Sequence, residues 1–401
     1  MSRSQRAPRV NRPDSRSRRG PGARVRRRQT ALAINVTSII LSGLVLLVLG
    51  VAWFTGGTTG DFKGDGNGNM VLVNVENGSS LSDLSDSLVD DDVVASSSAF
   101  MTAAANNPRA DQLQPGWYRL EEHMSAAAAV DALLDPENRS GTVDIPTGSR
   151  LEDTLVVGSD DVREGIFTKI AKASCVADDD CITVESLRDA AATTDPAELG
   201  VPDWAIKPVT ARGDDPRRLE GLISPGVHQF NPMDDAKTVL TELVTNSVAE
   251  YEETGLAESA DNVGLTPYEL LTAASLVQME ASDEYFPMVA RVILNRLDEP
   301  MRLQFDSTVN YGLDDQEIAT TDEDREEKTP WNTYASDGLP QTPISSPSVQ
   351  AIKAMENPAP GAWLYFVTVD KDGTTVFTNT LDEHGAAIEQ ARANGVLDSN
   401  R

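Results

Sequence analysis

Hydrophobic positions along the chain fall into one long unbroken run followed by short periodic ones. Residues 31–54 contain no charged side chain and are dominated by Ile, Leu and Val. At about 1.5 Å per residue these 24 residues reach roughly 36 Å as a helix, enough to span a hydrocarbon core with some tilt. A cleaved signal peptide has a shorter apolar region and ends in small residues, whereas this run ends in Trp53 and Phe54, side chains suited to a membrane interface. The pattern therefore predicts an uncleaved transmembrane helix over 31–54. Beyond it, MVLVNV from Met70 alternates like a strand, and Leu81, Leu84 and Leu88 mark one face of a helix behind a Ser-rich cap. A second helix is predicted at 100–105, a second strand at 116–120 and a third helix at 124–134. From Val143, VDIPTGSRLEDTL predicts a strand and then a capped helix. The clearest helix start lies in LTPYELLTAASLVQME: Thr266 as N-cap, Pro267 at the first helical position and Glu269 three residues after the cap. Leu270, Ala273, Ala274 and Val277 form its apolar stripe, with Glu280 at one edge and Gln278 at the other. Another helix follows at 287–297, with Val289, Val292, Ile293 and Leu297 inward.

These elements predict an α+β protein: a basic tail (1–30), the transmembrane helix (31–54), a Gly-rich linker (55–69), a small β-α-α-β module (70–140) and a larger α+β domain (141–401). The small module resembles the LysM type of glycan-binding module in its element order.

Charge fixes the orientation. The 401 residues hold 34 Lys+Arg against 63 Asp+Glu, yet residues 1–30 contain eleven Arg and one acid, Asp14. Arginine-rich flanks stay cytoplasmic, which places 55–401 on the extracytoplasmic side of the plasma membrane. So acidic a body would repel a phosphate backbone, which excludes nucleic acid as its partner. Two cysteines, Cys175 and Cys181, flank an Asp-rich loop; outside the cytoplasm a local disulfide is expected. The run DEDREE at 322–327 reads as a solvated loop. Three scattered histidines, His123, His228 and His384, give no metal-binding pair, and there is no G-x-S-x-G or P-loop motif, so no cofactor or metal is expected.

Glu280 acquires chemical meaning from the residues around it. ASLVQMEASDEYFPMVARVILNRLDEPMRLQFDSTVNYGL, WNTYASDGLPQTPISSPSVQAI and LYFVTVDKDGTTVFTNTLDEH resemble the catalytic domain of the MltG (YceG-like) family of endolytic murein transglycosylases. LEGLISPGVHQF, from Leu219, is similar to the family's L-E-G-x-x-x-P segment, with Ser224, Gly226 and His228 where an aromatic, Asp and Tyr or Trp are usual. His384 matches the family's C-terminal E-H, at a loop cap or on the cleft. The family often carries V-E-x-E; here Gln278 takes the first acidic position and Glu280 the second.

The resemblance implies cleavage of the β-1,4 bond between N-acetylmuramic acid and N-acetylglucosamine without water. The muramic acid 6-hydroxyl attacks, so a single Glu280 serves as acid and then as base, and the product ends in a 1,6-anhydro sugar. Gln304, Asp306, Thr308, Tyr311, Asn332, Thr333 and Tyr334 carry groups that can bind sugar hydroxyls and acetamides or hold the loop. Glu220 is the runner-up carboxylate, read as structural. Peptidoglycan strands, the membrane and cell-wall synthases (penicillin-binding proteins) are the implied partners. The competing class is a non-catalytic glycan-binding scaffold that recruits synthases.

Overall fold

A computed structural model of the chain describes residues 60–156, 159, 161–176, 181–313 and 320–396. The basic tail, the 31–54 span and residues 55–59 lie outside them. Among the described residues no helix is long and apolar enough to cross a membrane. Asp61–Arg401 form one compact unit, and its architecture is α+β.

The small module follows the β-α-α-β order. Strands β1 (Met70–Val75) and β2 (Gly116–Glu121) pair antiparallel from Met70↔Glu121 to Val75↔Gly116, and β3 (Arg139–Ser140) adds to β2. Helices α1 (Leu81–Asp90), α2 (Ser97–Asn106) and α3 (Ala126–Leu133) each start on a serine, Ser80, Ser96 or Ser125, whose hydroxyl accepts a first-turn N–H. Their apolar faces close over the sheet in a core of its own, including Val73, Leu88, Phe100, Tyr118 and Leu120. Residues 61–69 of the expected linker make hydrogen bonds to this module. Gly68 N donates to Glu121 Oε2 at 2.7 Å, Asn69 Nδ2 to Glu122 Oε2 at 2.9 Å, and Ala126 N to Asp61 Oδ1 at 2.9 Å. Polar side chains on 61–69 meet carboxylates and a helix start, which ties down a segment that composition alone reads as a tether.

The larger part begins with β4 (Thr142–Ile145), a two-residue hairpin pair β5 (Thr154–Leu155) and β6 (Val162–Arg163), and helices α4 (Ile166–Ala173), α5 (Val184–Thr193) and α6 (Asp203–Ala211). β7 (Gly226–Gln229) returns to pair antiparallel with β4. Next come α7 (Ala236–Glu253), α8 (Leu256–Asn262), α9 (Pro267–Glu280), α10 (Phe286–Asp298), α11 (Asp306–Gly312), α12 (Asp322–Glu326) and α13 (Val349–Glu356). The β8 (Tyr365–Thr368) and β9 (Thr375–Thr378) hairpin packs with α14 (Leu381–Ala393) around Val369, Ala387 and Ala391.

Helix α9 is the axis. It begins with the expected capping box and packs against α6, α8, α10, α11 and α13. Residues 270–277 are all buried, so the helix has no single apolar stripe of the kind its spacing predicts. A helix covered on all sides must satisfy its own polar groups: Thr272 Oγ1 donates to Tyr268 O at 2.8 Å, and Ser275 Oγ accepts from Ile344 N at 3.0 Å.

Two local expectations are corrected. After β4 there is no helix until Ile166, because residues 146–153 commit their backbone elsewhere: Gly148 N to Ser346 O, Ser346 N to Ser149 O, and Leu151 N to the Glu220 carboxylate. The DEDREE run is helical over Asp322–Glu326, with Thr321 and Asp324 forming a capping box. Three acids in the first turn suit the positive end of the helix dipole. Cys175 and Cys181 are joined in a disulfide with Cα atoms 4.3 Å apart.

Candidate active site

Glu280 is the last residue of α9, where the buried helix emerges. Its side chain is half-buried, and burial pushes its carboxyl up to about 7. The Ser307 hydroxyl, donating to Glu280 Oε1 at 2.5 Å, acts in the opposite direction, as do the Ser307 backbone N–H and Arg296; Asp306 adds to the rise. Arg296 is buried and anchored, its Nε donating to Leu364 O at 2.6 Å and its Nη1 to Leu303 O. A carboxyl near 7 is present as both acid and base at neutral pH, the state general acid/base chemistry requires.

The segment facing Glu280 is set by burial that alternates from Arg302 onward. Leu303 and Phe305 are driven into the core, leaving Arg302 and Gln304 exposed. Gln304 adopts a left-handed φ of 52°, costly for a residue with a Cβ, while its N–H donates to Thr333 O at 3.2 Å. Phe305 then leads into α11. Asp306 at its start accepts from Tyr334 Oη at 2.7 Å, Thr320 Oγ1 at 2.9 Å and Arg325 Nη2 at 3.0 and 3.1 Å. Burial and this carboxylate push the Tyr334 phenol up. The DEDREE helix therefore reaches the site through Arg325.

The sequence-predicted residues separate into three groups. Asp306 and Tyr334 act electrostatically on Glu280 or feel its charge, and Gln304 is exposed on the same segment. Thr308, Thr333 and Asn332 are buried and hold the loop. The two threonine hydroxyls are 2.9 Å apart, and Asn332 Nδ2 donates to the carbonyls of Asp324, Arg325 and Glu327. Tyr311 goes to a different carboxylate, donating to Glu220 Oε2 at 2.7 Å. Ser307, Arg296 and Arg325 were not singled out by the sequence. Only their presence in the family-like segments could have flagged Ser307 and Arg296, since neither lies on a pattern with chemical meaning of its own. His384 stacks on Tyr365 with ring centroids 5.1 Å apart, on the side of Arg296.

Glu220 is 1% exposed, receives Leu151 N at 3.2 Å on both oxygens, and is also pushed up to about 7 by burial. Tyr311, Leu151 N–H, the Arg150 charge and Gly221 N–H oppose that rise. Beside it lies a cavity of about 420 Å³ lined by Arg150, Glu152, Asp215, Arg217 and Tyr311 among others, with Glu280 not on its wall. Two proton-holding carboxyls thus touch one short helix, α11, through Ser307 and Tyr311. Of the two, Glu280 is the one with a face turned outward. No group of His, Cys, Asp and Glu among the described residues is arranged to hold a metal ion.

The sequence pattern of the YceG-like family matches residues 73–390. An endolytic murein transglycosylase from Bacillus subtilis (strain 168) is 28% identical over 322 residues, covering 80% of this chain and 84% of the relative. One from Streptococcus pneumoniae serotype 2 (strain D39) is 29% identical over 182 residues, 43% of this chain and 32% of its own length, so the chain spans about a third of that longer relative. The crystal structure of a YceG-like protein from Listeria monocytogenes covers 79% of this chain and 99% of its own at 25% identity, with a TM-score of 0.48. Because the family pattern runs through the small module and on through α9, α11 and the hairpin at the C-terminal end, the chain belongs to the YceG-like family.

Proposed function

We propose that this chain is a membrane-anchored endolytic lytic transglycosylase that cuts the N-acetylmuramic acid–β-1,4–N-acetylglucosamine bond of peptidoglycan, with Glu280 as both acid and base. The observation that carries the reading is a half-buried carboxyl at the open end of the central helix, pushed to about 7 and hydrogen-bonded to the Ser307 hydroxyl. The names of the Bacillus and Streptococcus relatives support the substrate class and the endolytic mode.

Hydrolytic glycosidases need two carboxylates, one to protonate the leaving oxygen and one to attack or to activate water. Near Glu280 the second carboxylate, Asp306, is committed to Tyr334, Thr320 and Arg325. Intramolecular attack by the muramic acid 6-hydroxyl removes the need for it. Glu280 protonates the glycosidic oxygen as the C1–O bond breaks, then accepts the 6-hydroxyl proton as the new C1–O6 bond closes, so the proton count balances and no water is consumed. Tyr334 and Gln304 supply hydroxyl and amide groups for sugar hydroxyls and acetamides. The small module, with its β-α-α-β order, acts as a LysM-like glycan holder. Residues 1–30 lie in the cytoplasm, 31–54 span the plasma membrane, and the body works outside near the cell-wall synthases that make its substrate.

The deciding experiment compares wild type with Glu280→Gln on isolated glycan strands, with products read by mass spectrometry. Wild type is expected to release fragments ending in 1,6-anhydromuramic acid, including internal cuts, and the variant to lose about 10²- to 10⁴-fold in turnover while still binding strands. Undiminished anhydro products from the variant would remove Glu280 from the chemistry. Reducing ends alone from wild type would make the protein a hydrolase, and binding without any product from wild type would leave the glycan-binding scaffold.

A further inference from the structure

We infer that Ser307 is a positioning residue for Glu280, and that the buried Glu220–Tyr311 pair braces the helix that presents it. The inference rests on Glu280 being the acid, and it concerns how this chain holds that acid ready. Ser307 and Tyr311 are four residues apart in α11, so they project from the same face, one turn from each other. Ser307 Oγ donates to Glu280 Oε1 at 2.5 Å, and Tyr311 Oη donates to Glu220 Oε2 at 2.7 Å. A helix of seven residues has few internal hydrogen bonds to hold its place, so side-chain contacts such as these two contribute to its position.

The brace is rigid where it needs to be. Glu220 is 1% exposed and its oxygens also receive the Leu151 N–H, which ties it to the loop after β4. Tyr311 is buried, packs edge-on against Trp331 at 5.0 Å between centroids, and lies under the Arg150 guanidinium. At the opposite end of α11, Asp306 is held by Arg325, Thr320 and Tyr334. With both ends of the helix pinned, the Ser307 Cα is held where its hydroxyl reaches Glu280. A donor aimed at a carboxylate favours its charged form, so Ser307 offsets part of what burial does to the Glu280 proton. The charged and titrating groups facing Glu280 besides Ser307 are Asp306 on the same helix, Arg296 from α10 and Tyr334 from the loop beyond α12.

The test is the pH dependence of kcat/KM for the full chain on glycan strands. The acid must be protonated to start the reaction, so the rate falls on the alkaline side of the Glu280 titration. Ser307→Ala removes a donor to the charged form, so this alkaline limb should move up by roughly one pH unit while kcat falls about tenfold and KM stays within about threefold. Ser307→Thr, which keeps the hydroxyl, should restore the wild-type limb. Tyr311→Phe should move the limb in the same direction by a smaller amount, and in a Ser307→Ala background should move it no further, because it acts through the same contact. A limb unmoved in Ser307→Ala, or equal and additive shifts from the two changes, overturns the inference. Its failure is separable from that of the acid assignment: Glu280→Gln retaining activity sinks the assignment, whereas an inactive Glu280→Gln together with an unmoved Ser307→Ala limb sinks only the brace.

Discussion

At Gly221 the backbone takes a φ of +77°, and a Cβ built there would lie 2.5 Å from Pro343 Cβ and 2.7 Å from its Cγ. Both the conformation and the space demand glycine, and the residue immediately before it is Glu220. The L-E-G motif is thus a buried carboxylate followed by the turn that lets the chain pass the proline. Gly221→Ala should cost at least about 2 kcal/mol in denaturant unfolding, since Pro343 is a ring with no flexible end to swing away. A change under half that size would show that the segment around Pro343 yields. Gln278 shows a related economy: its Oε1 accepts from Ser348 N, the N-cap of α13, at 2.9 Å. That contact needs an acceptor and not a charge, which an amide supplies. From sequence, Glu280 was visible through the family-like segments that surround it, since a carboxylate at the edge of a helix carries no such meaning alone. Ser307 and the Tyr311–Glu220 pair were not, because their partners lie 27 and 91 residues away and no local spacing encodes them.

The elements that were legible have local reasons, although a local cap was not always enough: the Thr321–Asp324 box starts a helix where the sequence read a loop. Helix α9 announces its start through Thr266, Pro267 and Glu269, and the structure has both halves of the box: Thr266 Oγ1 accepts from Glu269 N at 3.3 Å, and Thr266 N donates to Glu269 Oε2 at 2.8 Å. Thr266→Ala should lower stability by about 1 kcal/mol, because both halves of the box share that side chain or its placement. The loss should appear in the denaturant midpoint, and glycan cleavage at a temperature well below unfolding should be unchanged, since the acid sits at the opposite end of the helix. An activity loss as large as the stability loss would mean that the helix slides as a unit. The helices of the small module were also predicted, the first from its serine cap, the other two with starts three residues late and two residues early. By contrast, residues 146–153 carry helix-compatible residues but surrender their backbone to Ser346 and Glu220, and 61–69 look like a tether until Glu121 and Glu122 are brought beside them. No window of sequence contains both partners of such contacts.

For the molecule as a whole, two buried or half-buried carboxyls near 7 make folding stability depend on pH in a definite direction. Glu220 is raised from 4.5 to about 7 in the folded state, chiefly by burial. Below about pH 4.5 it is protonated whether the chain is folded or not, and its favourable contribution is fully present. As pH rises, the unfolded chain releases the proton first, so stability declines through the window up to about 7. A shift of this size corresponds to a ceiling on the order of 3 kcal/mol for Glu220. Self-repulsion in a chain of net charge −29 acts in the same direction as its carboxylates ionise, and it is the competing explanation for any fall in stability toward neutral pH. Salt separates the two, because exposed charges are screened within about 3 Å at 1 M ionic strength whereas a fully buried carboxyl is not. The melting temperature of wild type should therefore still fall between pH 5 and pH 8 in high salt. In Glu220→Gln, which has no proton to lose, the fall should be clearly smaller under the same conditions. Equal slopes for the two proteins in high salt would mean that Glu220 stays protonated or stays ionised throughout that range, and the brace on α11 would then have to be described with a carboxyl of fixed charge.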